Sequence, residues 1–131
     1  MLRLTGLCSG YGAVPICREL NLQIKKGEIA VILGRNGVGK TTLMKTIIGV
    51  LPCHSGTIQF KGKDVTKLSA SNRARIGMGY IPQGRGIFPR LTVEENLQMG
   101  HLINVDSGKE RLYQRVYDMF PRLDERRRQK G

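Results

Sequence analysis

Apolar and polar residues alternate at Leu2 and Leu4 against Arg3 and Thr5, and again at Leu20, Leu22 and Ile24 against Asn21, Gln23 and Lys25. A period of two is what a half-buried strand imposes, because successive side chains point to opposite faces. The alternation predicts strands over 2–8 and 19–25, with a turn at Ser9-Gly10-Tyr11-Gly12 between them. The pattern then changes. After the turn Lys25-Lys26-Gly27-Glu28, residues Ile29-Ala30-Val31-Ile32-Leu33 form an unbroken apolar run, the composition of a strand buried on both faces. Leu43, Met44, Ile47 and Ile48 next fall on one face of a helix that Gly49 can close.

Beyond that helix, Leu51-Pro52 ends helical structure, and Thr57-Ile58-Gln59-Phe60 alternates as a strand before a turn at 61–64. A short basic helix is expected over 69–76, opened by Ser69 or Ser71. Met78-Gly79-Tyr80-Ile81 reads as another strand, stopped by Pro82. Residues 83–91 carry glycine, proline and arginine around Ile87 and Phe88, which suits a loop that meets a partner. Thr92 and Glu95 are spaced as a capping box and open a helix to about Gly100. Leu112, Val116, Met119 and Phe120 predict a further helix over 109–120, ended by Pro121. The whole reads as an α/β chain with an antiparallel β annex.

Between the apolar run and the first helix stands Gly34-Arg35-Asn36-Gly37-Val38-Gly39-Lys40-Thr41-Thr42. It satisfies G-x-x-x-x-G-K-[ST] in the setting that gives the motif meaning, a strand before and a helix after. The glycines let backbone N–H groups approach a polyphosphate closely, and the helix directs its positive dipole end at the same anion. Lys40 is expected on the terminal phosphates and the Thr41 hydroxyl on Mg²⁺.

Composition narrows the alternatives. The 131 residues hold at most one domain. No run approaches the ~20 apolar residues of a membrane span, and the start is strand-like rather than a leader, so a cytosolic chain is expected. Cys8, Cys17 and Cys53 lack metal spacing and read as reduced, partly buried thiols. His54 and His101 have no further ligands nearby in sequence. The net charge of +12 would favour anionic partners in general. Its basic residues are scattered, apart from a cluster at Arg122, Arg126, Arg127, Arg128 and Lys130, and are not interleaved with aromatics, which argues against a nucleic-acid surface.

Taken together, these residues resemble the nucleotide-binding subunits of ABC transporters. The resemblance is carried by Tyr11 in the turn after the first strand, by Gly34 to Thr42, and by Tyr80-Ile81-Pro82-Gln83, which looks like the strand entering the family's Q-loop. The phrase Pro82-Gln83-Gly84-Arg85 through Phe88-Pro89-Arg90-Leu91-Thr92-Val93-Glu94-Glu95-Asn96-Leu97 looks like subunits that drive uptake of branched-chain amino acids and urea, with the urea branch favoured. The resemblance implies a P-loop NTPase of ABC type, divided into a β annex plus P-loop core over 1–83 and a Q-loop with the start of a helical subdomain over 84–131. It implies ATP and Mg²⁺ as cofactors, with Tyr11 on the adenine, Gly34, Arg35, Asn36, Gly37, Val38, Gly39, Lys40, Thr41 and Thr42 around the phosphates, and Gln83 at the metal and the attacking water. Implied partners are membrane permease subunits through residues 84–91, a second ATP-binding subunit, and indirectly a periplasmic solute-binding protein. The expected place is the inner face of the cell membrane.

The family's signature, its Asp-Glu strand and its switch histidine do not occur in the 131 residues. Ser9-Gly10 and Ser107-Gly108 are lone pairs, and Asp124-Glu125 follows no apolar run. The expectation is therefore an amino-terminal portion that binds ATP without hydrolysing it efficiently, some of whose strands await neighbours from elsewhere.

Overall fold

A computed structural model describes residues 1–84, 86–101 and 109–131, which form two units, Met1–Gly79 and Tyr80–Gly131. Ser107-Gly108 lies outside the described residues. The first unit is built on β1 (Leu2–Tyr11) and β2 (Val14–Ile24), β3 (Cys53–Phe60) and the short β4 (Lys63–Asp64), in the all-antiparallel order β2-β1-β3-β4. The turn expected at 9–12 is tighter than its composition suggested. Ser9, Gly10 and Tyr11 stay in β1, and Tyr11 pairs with Val14 across Gly12 and Ala13.

The ladders of β1 shift register at several points, and the shift around Gly6 explains the core. The ladders to β2 and β3 both shift register between Leu4 and Cys8, where Gly6 has φ 57°. An extra residue reverses the parity of the side chains that follow. Leu4 and Leu7, three apart, consequently both lie buried on one face with Ile58, Phe60 and Val65.

Against that face packs α1 (Lys40–Ile48), closed by Gly49 at φ 85° as the sequence suggests. Its buried residues are Thr42, Leu43, Thr46 and Ile48, while Met44 is exposed, so the buried stripe is more polar than the apolar spacing implied. Two hydroxyls resolve the cost of this. Ser9 Oγ lies 2.5 Å from Thr46 Oγ1, and the Thr46 hydroxyl donates to the Thr42 carbonyl at 2.8 Å. Helix α2 (Ala70–Arg75) starts at Ser69, whose side chain accepts from the Asn72 N–H.

Arg73 of α2 is the largest fully buried side chain, 2% exposed. Its guanidinium donates to the carbonyls of Thr46 and Ile47 at the end of α1, and to those of Leu68 and Thr66. Burial pulls its pKa below the ordinary arginine value, but a guanidinium keeps its proton, and carbonyls at a helix C-terminus are its natural acceptors.

Two expected strands do not form. Residues 29–33 and 78–81 have no sheet pairing among the described residues. A strand exists through its ladder, and a segment whose neighbours are absent stays bare whatever its apolar content. Ile29 is 94% exposed, Leu33 87% and Ile81 92%, although Met78 is buried.

In the second unit, α3 (Val93–His101) and α4 (Lys109–Met119) are followed by α5 (Pro121–Glu125), with Pro121 at its first turn. The capping box is present: Glu95 N–H donates to Thr92 Oγ1 at 3.2 Å, and Thr92 N–H to Glu95 Oε2 at 2.7 Å. The face expected of α4 is different. Leu112, Met119 and Phe120 are exposed, and Tyr117 is buried, with the Arg127 guanidinium 4.1 Å from its ring centroid. An aromatic ring that stacks under a cation outcompetes an aliphatic stripe that has nothing to pack on.

Candidate functional site

The glycine-rich loop emerges from the bare segment and enters α1, and β2 meets it at Gly39. Gly39 is the N-terminal boundary of α1, with φ 100°. A β-carbon there would lie 2.7 Å from Ile16 Cγ2 of β2, so both conformation and space demand glycine. Cys17, next along β2, is buried, and its thiol lies 3.9 Å from the Gly39 carbonyl. Burial pushes the Cys17 thiol pKa up, which suits a packing role rather than a nucleophile. Cys8, Cys17 and Cys53 are all free thiols.

No side chain caps the first turn of α1, and no acidic residue occurs in it. The helix therefore presents unsatisfied N–H groups and an uncompensated positive end to whatever lies in the loop. Gly37, at φ 84°, turns the loop in the left-handed region. Arg35, Asn36, Gly37 and Val38 are exposed, as is Gly34.

Lys40 folds back over this loop. Its ammonium donates to the carbonyls of Gly34 and Arg35, at 2.6 Å each. The side chain thus spans the loop from the helix to its first residues, which is the reach a phosphate between them would require. Thr41, beside Lys40, is exposed, whereas Thr42 is 5% exposed and packs inward. Only the first of the two threonines is free to meet a ligand; Thr42 belongs to the core side of the helix.

A cavity of about 210 Å³ adjoins the loop, lined by Ile16, Cys17, Arg18, Leu33, Val38 and Lys40 among others. Tyr11, half exposed at 49%, stands at the tip of the hairpin whose second strand carries Ile16 and Cys17. One unit therefore brings together Tyr11's hairpin, the loop, Lys40 and Thr41. Gln83 belongs to the other unit, at a bend with Gly84. In that unit Ile87 and Phe88 are 46% and 50% exposed, while Arg85 of the same expected loop lies outside the described residues.

Sequence reasoning missed Ile16 and Cys17 as the wall behind Gly39, and Arg73 as the clamp on the far end of α1. For Ile16 the available clue was its place after the hairpin turn opposite Tyr11. Arg73 offered none, since a lone arginine in a basic helix reads as solvated.

A family profile described as ABC transporter matches residues 17–130. The chain is 36% identical over its whole length to the high-affinity branched-chain amino acid transport ATP-binding protein BraG of Pseudomonas aeruginosa, covering 56% of that protein. It is 37% identical over 94% of its length to the probable branched-chain amino acid transport ATP-binding protein LivF of Archaeoglobus fulgidus, covering 52%. A solved ATP-binding subunit of an ABC transporter superposes on 97% of the chain and 52% of its own, with TM-score 0.83 and 28% identity. The chain spans about half the length of the curated relatives it matches.

Proposed function

Because this chain belongs to the ABC transporter ATP-binding family, we propose that it is the nucleotide-binding portion of an importer subunit, taking MgATP in the loop Gly34 to Thr42 and passing its closure to a membrane permease. The observation that carries this reading is the Lys40 side chain arched over a glycine loop at an uncapped helix N-terminus. That arrangement fits a polyphosphate on charge and on space, because the two carbonyls now held by Lys40 are neutral acceptors that an anion would replace with stronger, charge-assisted contacts. ATP would supply a transferable phosphoryl group, and Mg²⁺ would neutralise its developing charge.

This chain's own residues have limited parts. Lys40 and the loop N–H groups bind and orient the phosphates, the Thr41 hydroxyl is the side chain free to hold the metal, and Tyr11 offers a flat exposed face to the adenine. Gln83 is read as the residue that meets the metal and the attacking water. Phosphoryl transfer depends on positioning and charge stabilisation, and residues 1–131 hold no carboxylate pair following an apolar strand. Binding without efficient turnover is the result. The bare apolar segment 29–33 is read as a strand whose neighbours come from sequence outside these residues, and a second copy is read as completing the site. The curated relatives BraG and LivF are named for branched-chain amino acid transport. The solute is read as urea or a branched-chain amino acid, chosen by permease and binding protein rather than by this subunit. Gly84 and residues 86–91, with Arg85, are read as the permease contact, which places the chain on the inner face of the membrane.

Calorimetric titration with MgATP tests the binding role: saturable binding that Lys40→Ala removes and Tyr11→Ala weakens supports it. Binding indifferent to Lys40→Ala overturns it. Uptake of labelled urea against labelled leucine by the assembled transporter decides the solute.

A further inference from the structure

Within the second unit, the segment that presents Phe88 is held by one side chain. Asn96, on the first turns of α3, accepts from the Phe88 N–H through Oδ1 at 2.8 Å. Its Nδ2 donates to the Phe88 carbonyl at 3.0 Å, the Thr92 carbonyl at 2.9 Å and the Leu91 carbonyl at 3.2 Å. An amide that both accepts from and donates to the same backbone residue reproduces the pairing a neighbouring strand would give. The chain's last residues brace the same loop. Gly131 N–H donates to the Leu91 carbonyl, and Val93 and Glu94 N–H groups donate to the Gln129 and Arg127 carbonyls. Phe88 nevertheless remains half exposed, with Ile87 beside it. A loop normally loses conformational freedom on docking, and an apolar anchor fixed in advance avoids that loss.

We infer that Asn96 is the positioning residue of the docking surface: it locks the backbone of Phe88 so that Phe88 and Ile87 are presented, already ordered, to the permease. The inference deepens the proposed function and rests on its reading of residues 84–91 as the permease contact. The amide is required in full. An aspartate would keep the acceptor for Phe88 N–H but turn a carboxylate toward three carbonyls, whereas its protonated form regains a donor.

The test has two arms. In the chain itself, amide hydrogen exchange reads the lock directly. Asn96→Ala lowers the protection of the Phe88 amide by about tenfold, the scale of one net hydrogen bond, and in Asn96→Asp the protection is lost at neutral pH and returns on acidification. In the subunit assembled with its permease, Asn96→Ala lowers permease-stimulated ATP turnover and uptake by about tenfold, while MgATP affinity of the free subunit is unchanged. Unaltered Phe88 protection in Asn96→Ala, or lost protection with normal coupling, overturns the positioning role. Phe88→Ala separates the two layers: if it abolishes coupling while Asn96→Ala does not, the docking surface stands and the lock fails. If Phe88→Ala leaves coupling intact, the docking reading itself is wrong.

Discussion

Two apolar stretches of the first unit meet opposite fates. Leu4, Leu7, Ile58 and Phe60, on β1 and β3, are buried to 6% exposure or less in a sheet whose ladders close within the chain. Ile29, Val31 and Leu33 are as hydrophobic, yet stand 94%, 75% and 87% exposed. Propensity does not separate them, since β-branched and aliphatic residues dominate both. The difference is the ladder: β1 and β3 pair within the sheet, whereas 29–33 has no pairing among the described residues, and antiparallel neighbours can be supplied by hairpins within a short stretch while a buried strand of parallel type needs crossovers of a dozen residues or more. Hydrophobic pattern states what a segment requires, and topology decides where the requirement is met.

Substitutions break or sharpen this contrast. The largest effect belongs to the closed sheet, where Ile58→Ala should cost about 2–5 kcal/mol of stability in urea unfolding. Arg73→Met, which strips four carbonyls of their donor beneath α1, should cost about 2–4 kcal/mol, and so ties the stability of the phosphate-loop helix to α2. Gly39→Ala forces a β-carbon against Ile16 at φ 100°, and should cost about 1–3 kcal/mol together with nucleotide affinity. Leu33→Ser, in the bare stretch, should change the stability of these residues by no more than ~0.5 kcal/mol. The same substitution in a version extended to the relatives' length should approach the cost of Ile58→Ala, and equal small effects in both would show that the segment never acquires a partner.

A weaker, pH-dependent effect marks the second unit. The Thr92 N–H, and then its hydroxyl, hold the Glu95 carboxyl below the usual glutamate range. With the folded pKa depressed, the stabilisation is present above the ordinary glutamate value and is lost as pH falls through the folded one. Thr92→Val, which removes the hydroxyl's share and keeps that of the backbone N–H, should therefore lower stability at neutral pH and flatten the acid limb, the gap to wild type in urea midpoints narrowing as pH falls through the folded Glu95 pKa.

Much of the site was legible. The spacing from Gly34 to Thr42 marks a candidate phosphate loop, and Gly49, Ser69, Thr92 and Glu95 fix helix ends through local chemistry that needs no distant partner. What escaped depends on long-range geometry. The bulge at Gly6 changed which β1 residues face the core, and Ile16 and Cys17 meet Gly39 only once β2 is laid beside the loop. Arg73 and Asn96 work on backbone carbonyls, which leave no trace in a side-chain pattern.

The central claim is that Lys40 and the glycine loop form a phosphate cradle at the head of α1, and the backbone amides of that loop report it most directly. Titration of the chain with MgATP, followed by amide resonances, should shift Gly34 to Thr42 saturably and leave the β1–β3 ladder from Leu2 to Thr5 unmoved, with the response gone in Lys40→Ala. A saturable response in Lys40→Ala equal to wild type, or one that bypasses the loop amides, would contradict the account.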